Sequence, residues 1–165
     1  MFNSRKEQDR AANLALLADT VQSMLEAGDD PIAALANVSA VINFYLDDIN
    51  WVGFYFLKGK DLVLGPFQGL PACTRIEEGK GVCGRAAATA KPVIVANVHE
   101  FPGHIACDSA SNSEIVIPLF QDGRVYGVLD VDSPSLNRFS GADAAVLTRI
   151  GEEISAFLSG KSNFR

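Results

Sequence analysis

Apolar residues recur every three or four positions near the start of the chain, which predicts two amphipathic helices. The first is expected to open with a capping box at Ser4 and Glu7 and to end at Gly28. The second begins at Asp30, an N-cap residue followed by proline. The apolar stripes are Leu14, Leu17, Val21, Met24 and Leu25 in the first helix and Leu35, Val38, Ile42 and Leu46 in the second.

The middle of the chain changes to strand-like patterns separated by turn residues. Residues 49–57 predict a strand with Trp51 and Tyr55 on one face and Val52 and Phe54 on the other. Two hairpins are expected, 49–57 with 62–64 and 113–120 with 124–132, together with short strands at 74–76 and 92–95. A short helix at 83–89, an aperiodic loop at 97–112 and a long helix that starts after Ser140 complete the pattern.

This order of elements predicts an α/β (α+β) fold with a mostly antiparallel central sheet. Strands joined by hairpins are antiparallel, and helices from the two chain ends can pack together on one sheet face. The other face, under the mid-chain loops, is then free to hold a ligand. The length of 165 residues fits a single domain over 1–165, with a core at about 30–160.

Charge and composition argue against several kinds of binding partner. The net charge of −6 disfavours binding to nucleic acid or to an anionic membrane surface. No apolar run is long enough to span a membrane, and the first residues lack a signal-peptide pattern, so we expect a cytoplasmic protein. In the reducing cytoplasm the three cysteines should be present as thiols, and their spacing matches no zinc motif. We expect no metal and no cofactor.

The cysteines differ in their predicted surroundings. Cys73 and Cys107 lie in loops, where a redox-active thiol can be reached, whereas Cys83 lies among small residues at a helix start. Inert thiols remain an equally good interpretation, since free cysteine is commonly a small buried hydrophobe. His99 and His104 are interpreted as polar loop residues with no further metal ligand nearby.

Three carboxylates could converge at one end of the sheet. Asp130 and Asp132 are two residues apart in a strand and therefore share a face. If the two late strands pair across the 122–123 turn, Glu114 lies near them, although a solvated strand end is the favoured interpretation for Glu114. The three groups could bind an ammonium group or a metal, or share a proton. Trp51 and Tyr55 are either an aromatic core pair, which composition favours, or the wall of an apolar pocket.

Four segments together resemble the free methionine-R-sulfoxide reductase family of GAF-type domains. They are GPFQGLPAC at 65–73, GKGVCG at 79–84, FPGHIACD at 101–108 and GVLDVDS at 127–133. The resemblance extends over nearly the whole chain. It implies a GAF-like single domain that reduces free L-methionine-R-sulfoxide, is recycled by thioredoxin and forms a homodimer.

The same resemblance implies roles for individual residues. It makes Cys107 the nucleophile that becomes a sulfenic acid, Cys73 the resolving cysteine and Cys83 an auxiliary cysteine. It assigns Trp51 and Tyr55 to the pocket for the substrate's methyl group. Glu114 and Asp132 are expected to assist the sulfoxide oxygen, and Asp130 to bind the ammonium group.

Two other classes of function compete with this interpretation. A non-catalytic GAF sensor for a small molecule such as a cyclic nucleotide would share the fold, but it has no need of three cysteines. An interaction module or dimer scaffold would use the exposed faces of the terminal helices. Methionine release from a sulfoxide separates the enzyme from both.

Overall fold

The computed structural model describes residues 5–28, 30–105, 107–159 and 161. Its helices are α1 (Arg10–Ala27), α2 (Pro31–Tyr45), α3 (Gly81–Thr89) and α4 (Gly141–Ser159), with a short 3₁₀ turn at Val98–Glu100. Its strands are β1 (Trp51–Lys58), β2 (Asp61–Gln68), β3 (Arg75–Glu77), β4 (Val93–Val95), β5 (Ser113–Gln121) and β6 (Arg124–Ser133).

The six strands form one sheet in the order β3-β2-β1-β6-β5-β4, and each neighbouring pair is antiparallel. Both predicted hairpins are present, as β1–β2 and β5–β6. The first and last strands of the sheet are the short ones, β3 and β4. The predicted α/β (α+β) architecture with an antiparallel sheet is therefore confirmed.

The face covered by α1, α2 and α4 carries the larger apolar core. Strands alternate their side chains, so β1 sends Val52, Phe54 and Phe56 to this face, and β6 sends Leu129 and Val131. The helices α2 and α4 lie against the sheet, and α1 packs on both of them. This arrangement confirms that helices from the two chain ends share one sheet face.

The opposite face carries a second, smaller core. Trp51 and Tyr55 from β1 and Val116 and Val128 from the later strands pack there with the small residues of α3. The loops around Cys73 and Cys107 close this side. The ligand-binding side expected from the sequence is thus covered by one short helix and two loops rather than by long helices.

The first helix begins later than the sequence predicts. Asp9 is its N-cap and accepts a hydrogen bond from the backbone N–H of Ala12 through Oδ1, at 2.8 Å. The expected start at Ser4 lies outside the described residues, and Glu7 lies before the helix rather than within it. The second helix starts as predicted, with Asp30 accepting from Ala33 N–H.

In the described residues, none of the helices combines the length and the apolarity that crossing a lipid bilayer requires.

Candidate active site

Two loops on the smaller-core side are joined by a disulfide between Cys73 and Cys107. Cys73 follows β2, and Cys107 lies in the loop between β4 and β5. Their Cα atoms are 5.3 Å apart, and both residues are half-buried. The loops therefore meet, as chemistry between these cysteines requires. The nucleophilic and resolving roles themselves stay predictions.

Strand register brings the three carboxylates together. Glu114 on β5 pairs directly with Asp132 on β6, and Asp130 lies two residues away on the same face. Only 6% of Glu114 and 6% of Asp130 is exposed, while Asp132 is half-buried. The interpretation of Glu114 as a solvated strand end is wrong, because α3 and the Cys107 loop cover this end of the sheet.

Cys83 is the third member of a buried acidic cluster, which we define as Cys83, Glu114 and Asp130. Its Sγ lies 3.2 Å from Oδ2 of Asp130, to which the thiol donates, and 3.9 Å from Oε1 of Glu114. Burial raises the pKa of the Cys83 thiol well above its usual value, and the negative charge of Asp130 raises it further. Cys83 is therefore a protonated thiol that donates a hydrogen bond.

Burial also changes the acidity of the carboxyl groups. It raises the pKa of Glu114 well above the ordinary value, and the adjacent Asp130 and Asp132 charges add to this. Burial raises the pKa of Asp130 to about 6, a smaller change because Cys83 and Glu114 donate hydrogen bonds to it. The pKa of Asp132 is raised as well, mainly by burial. Glu114 thus retains a proton that it can share with Asp130.

Aromatic side chains form one wall of the site and also hold the Cys73 loop. The Trp51 and Tyr55 rings are stacked with centroids 5.9 Å apart. Trp51 Nε1 donates to the carbonyl of Leu70 at 3.1 Å, and the Tyr55 hydroxyl donates to the carbonyl of Cys73 at 3.0 Å. The pair is both an aromatic core pair and a pocket wall, so the two interpretations were not exclusive.

Gly53 makes this aromatic stack possible. It lies between Trp51 and Tyr55 on the same strand face, opposite Asp130 on β6. A Cβ atom at position 53 would lie 2.4 Å from Cβ of Phe67 and 2.6 Å from Cη2 of Trp51. Any larger residue would displace the Trp51 ring, and with it the pocket wall.

A cavity of about 30 Å³ lies between this wall, the carboxylates and the disulfide. Its lining adds residues that sequence reasoning did not assign to the site, namely Ala72, Ile76, Gly81, Val82, His104, Ile105, Asp108 and Ser111. His104 Nε2 lies 4.0 Å from Oε2 of Glu114. His104 lies in the loop, as the sequence predicts, but it also has Glu114 as a neighbour, which the sequence did not show. The long aperiodic loop was the sequence feature that could have indicated a role for His104 in the site.

Comparison with known proteins places this geometry in a family. The GAF domain family model matches residues 17–159. The free methionine-R-sulfoxide reductase of Escherichia coli is 49% identical over 128 residues, which cover 78% of each chain. The chain belongs to the free methionine-R-sulfoxide reductase family. The resemblance carried by the cysteine-containing segments and the Asp-x-Asp strand is thereby confirmed.

Two further comparisons show similarity over almost the entire chain. Protein YtsP of Bacillus subtilis is 49% identical over 162 residues, covering 96% of this chain and 99% of that protein. The solved free methionine-R-sulfoxide reductase of Neisseria meningitidis, described as a complex with its substrate, superposes with a TM-score of 0.91. It is 42% identical and covers 95% of both chains.

Proposed function

We propose that this protein reduces free L-methionine-R-sulfoxide to L-methionine with a cysteine pair, Cys107 and Cys73. The observation that carries the proposal is the disulfide placed directly over a cavity lined by buried carboxyl groups and an aromatic wall. Family membership supplies the substrate, since the similar E. coli and N. meningitidis proteins carry this activity in their names.

The chemistry balances with these residues alone plus an external dithiol. Sγ of Cys107 attacks the sulfoxide sulfur, the S–O bond breaks, and the oxygen transfers to Cys107 as a sulfenic acid while methionine leaves. The thiol of Cys73 then attacks the sulfenic sulfur and expels water, which closes the disulfide. An external dithiol reduces that disulfide and restores both thiols. The net reaction consumes one dithiol and yields methionine and water.

A protonated carboxyl group assists the first step. The sulfoxide oxygen becomes a better leaving group when it receives a proton or a strong hydrogen bond. We assign that donation to Glu114 and Asp132, which pair across the two strands. Asp130 binds the substrate's ammonium group, and Trp51 with Tyr55 contacts its methyl group. Cys83 acts as an auxiliary cysteine, and its thiol hydrogen bond to Asp130 fixes that carboxylate.

The partner and the assembly belong to the same proposal. The family resemblance points to thioredoxin as the source of the dithiol, and the disulfide is only half-buried, so an external thiol can reach it. A homodimer forms through exposed faces of the terminal helices. The cytoplasmic location and the single domain over residues 1–165 stay predictions.

The deciding experiment measures methionine released from free R-sulfoxide, free S-sulfoxide and a sulfoxide-containing peptide, with dithiothreitol as reductant. We expect release from the free R form alone. The small size of the cavity supports this selectivity, because a free amino acid needs less room than a peptide chain. Absence of release from all three substrates, with the thiols confirmed as reduced, would contradict the proposal and favour a GAF sensor.

A further inference from the structure

The buried acidic cluster combines donor groups that would also suit a metal ion. One thiol and two carboxylates have ligand atoms that all lie within 4.8 Å of one another, and all three residues are buried. His104 approaches from the loop, with Nε2 4.0 Å from Oε2 of Glu114. Sulfur, oxygen and imidazole nitrogen are the donors that zinc prefers in proteins.

The distances fit one small tetrahedral ion. Zinc bonds of about 2.3 Å to sulfur and about 2.0 Å to oxygen or nitrogen place two ligand atoms about 3.3–3.5 Å apart. Cys83 Sγ lies 3.2 Å from Oδ2 of Asp130 and 3.9 Å from Oε1 of Glu114. Shifts of a few tenths of an ångström would bring these two distances to the expected values. His104, whose Nε2 lies 4.0 Å from Oε2 of Glu114, is outside the group of three and would have to move with its loop to reach the same centre.

A second observation points to a missing ligand. Oδ1 of Asp130 is buried without a hydrogen-bond partner among the described residues, although 94% of this side chain is removed from solvent. Buried carboxylate oxygens are normally satisfied, because leaving one unpaired costs free energy. Asp130 also lines the cavity, whose volume of about 30 Å³ is more than a single water or ion requires.

We propose that Cys83, Glu114 and Asp130 form a binding site for a thiophilic divalent cation such as Zn²⁺, with His104 completing the coordination from the loop. Binding releases the Cys83 thiol proton and the proton shared between the two carboxyls, and no atom changes its oxidation state. The ion occupies the cavity in which substrate would bind, so it inhibits the enzyme. This inhibitory consequence rests on the proposed function, whereas the binding itself does not.

Binding is measured on the full-length oxidised chain with Co²⁺ as a spectroscopic probe and Zn²⁺ as a competitor. With Cys73 and Cys107 in their disulfide, Cys83 is the remaining thiol, so a thiolate-to-cobalt absorption band reports on this residue. We expect one Co²⁺ per chain, a tetrahedral cobalt spectrum and its loss on adding Zn²⁺. The double variant Cys73→Ser/Cys107→Ser keeps Cys83 as the sole thiol and should give the same spectrum.

Variants then test the ligand assignment. Cys83→Ser should remove the band and raise the Zn²⁺ Kd by about 100-fold or more, since even outer-sphere changes cost about 10- to 100-fold. Asp130→Asn should weaken binding similarly, and His104→Asn should weaken it less. Glu100→Gln, an exposed carboxylate from the same loop region, is the matched control and should leave the affinity unchanged.

Two results would overturn the site. The first is no cobalt band in the oxidised chain and in the double serine variant. The second is a band or a Zn²⁺ affinity that survives both Cys83→Ser and Asp130→Asn. Failure of the proposed function shows separately, as absence of methionine release from metal-free enzyme. If release occurs, Zn²⁺ should raise the apparent KM for the sulfoxide with Tris(2-carboxyethyl)phosphine as reductant, because dithiothreitol itself binds zinc.

Discussion

Successive residues of β6 show how differently the two faces of the sheet are used. Leu129 and Val131 point into the core beneath the long helices, and neither is exposed to solvent. Asp130, between them, points to the opposite face and carries a raised pKa next to Cys83. One face therefore contributes stability through apolar burial. The other keeps buried polar groups, and the proposed chemistry would explain why their energetic cost is tolerated.

The sharpest test of this contrast is Cys107→Ser, a substitution on the sheet face that carries the cysteines and the buried carboxyl groups. Serine keeps the size of the side chain, but its hydroxyl is a far weaker nucleophile than a thiolate. We expect methionine release to fall below detection while the urea unfolding midpoint of the reduced protein stays near that of reduced wild type. Both are measured with dithiothreitol present. Turnover above a tenth of the wild-type rate would remove the nucleophilic role from Cys107.

Cys73→Ser should stop recycling but not the first chemical step. Because Cys107 can still attack the sulfoxide, each chain should release a single methionine when thioredoxin is the reductant. Rapid quenching of a stoichiometric reaction, compared with steady-state turnover, measures the two quantities. Equal steady-state rates for this variant and for wild type would contradict the resolving role.

Glu114→Gln should lower kcat by about 100- to 10,000-fold, the range that a proton donor typically contributes. The amide has nearly the same shape as the carboxyl group, so it removes the acidic proton with little change in packing. Glu100→Gln serves as the control, since that carboxylate is exposed and lies outside the cavity lining. A Glu114→Gln enzyme with at least half of the wild-type kcat would exclude Glu114 as the proton donor.

Sequence reasoning succeeded where local patterns determine the structure. The period of two in β1 separated Trp51 and Tyr55 from Val52 and Phe54, and the turn at 122–123 set the register that pairs Glu114 with Asp132. It failed on the burial of Glu114 because α3 and the Cys107 loop cover that strand end only through long-range contacts. His104 was missed for the same reason, since an aperiodic loop carries no signal for the direction of its side chains.

On the apolar face, Leu129→Ala should lower the free energy of unfolding by about 2–5 kcal/mol, the usual cost of such a cavity in a core. Leu129 is fully buried and its side chain points away from the site, so kcat of the folded fraction should stay within about twofold of wild type. Urea unfolding and initial rates on the same sample measure both. A large loss of kcat without a loss of stability would show that the two faces are coupled.

A second buried aspartate, Asp143, sharpens the comparison because its surroundings satisfy it. It accepts from Nη2 of Arg10 at 2.6 Å, from Nη1 of Arg138 at 3.2 Å and from Oγ of Ser140 at 2.7 Å. Burial acts to raise the pKa of Asp143, but the Ser140 hydrogen bonds, then Arg10 and Arg138, outweigh it and lower the pKa. In the buried acidic cluster, by contrast, the effect of burial outweighs the hydrogen bonds, and the pKa of Asp130 is raised.

Asp143→Asn should therefore cost about 1–3 kcal/mol at neutral pH, the usual penalty for weakening a buried, charge-assisted hydrogen-bond network. A carboxyl whose folded pKa is lowered contributes stability above its unfolded pKa, and that contribution is lost as pH falls through the folded pKa. The difference in unfolding free energy between wild type and variant should stay constant from pH 7 to about 5 and shrink below about pH 4. Urea unfolding at fixed salt across this range measures it, and a difference that grows on acidification would show that burial, not ion pairing, governs Asp143.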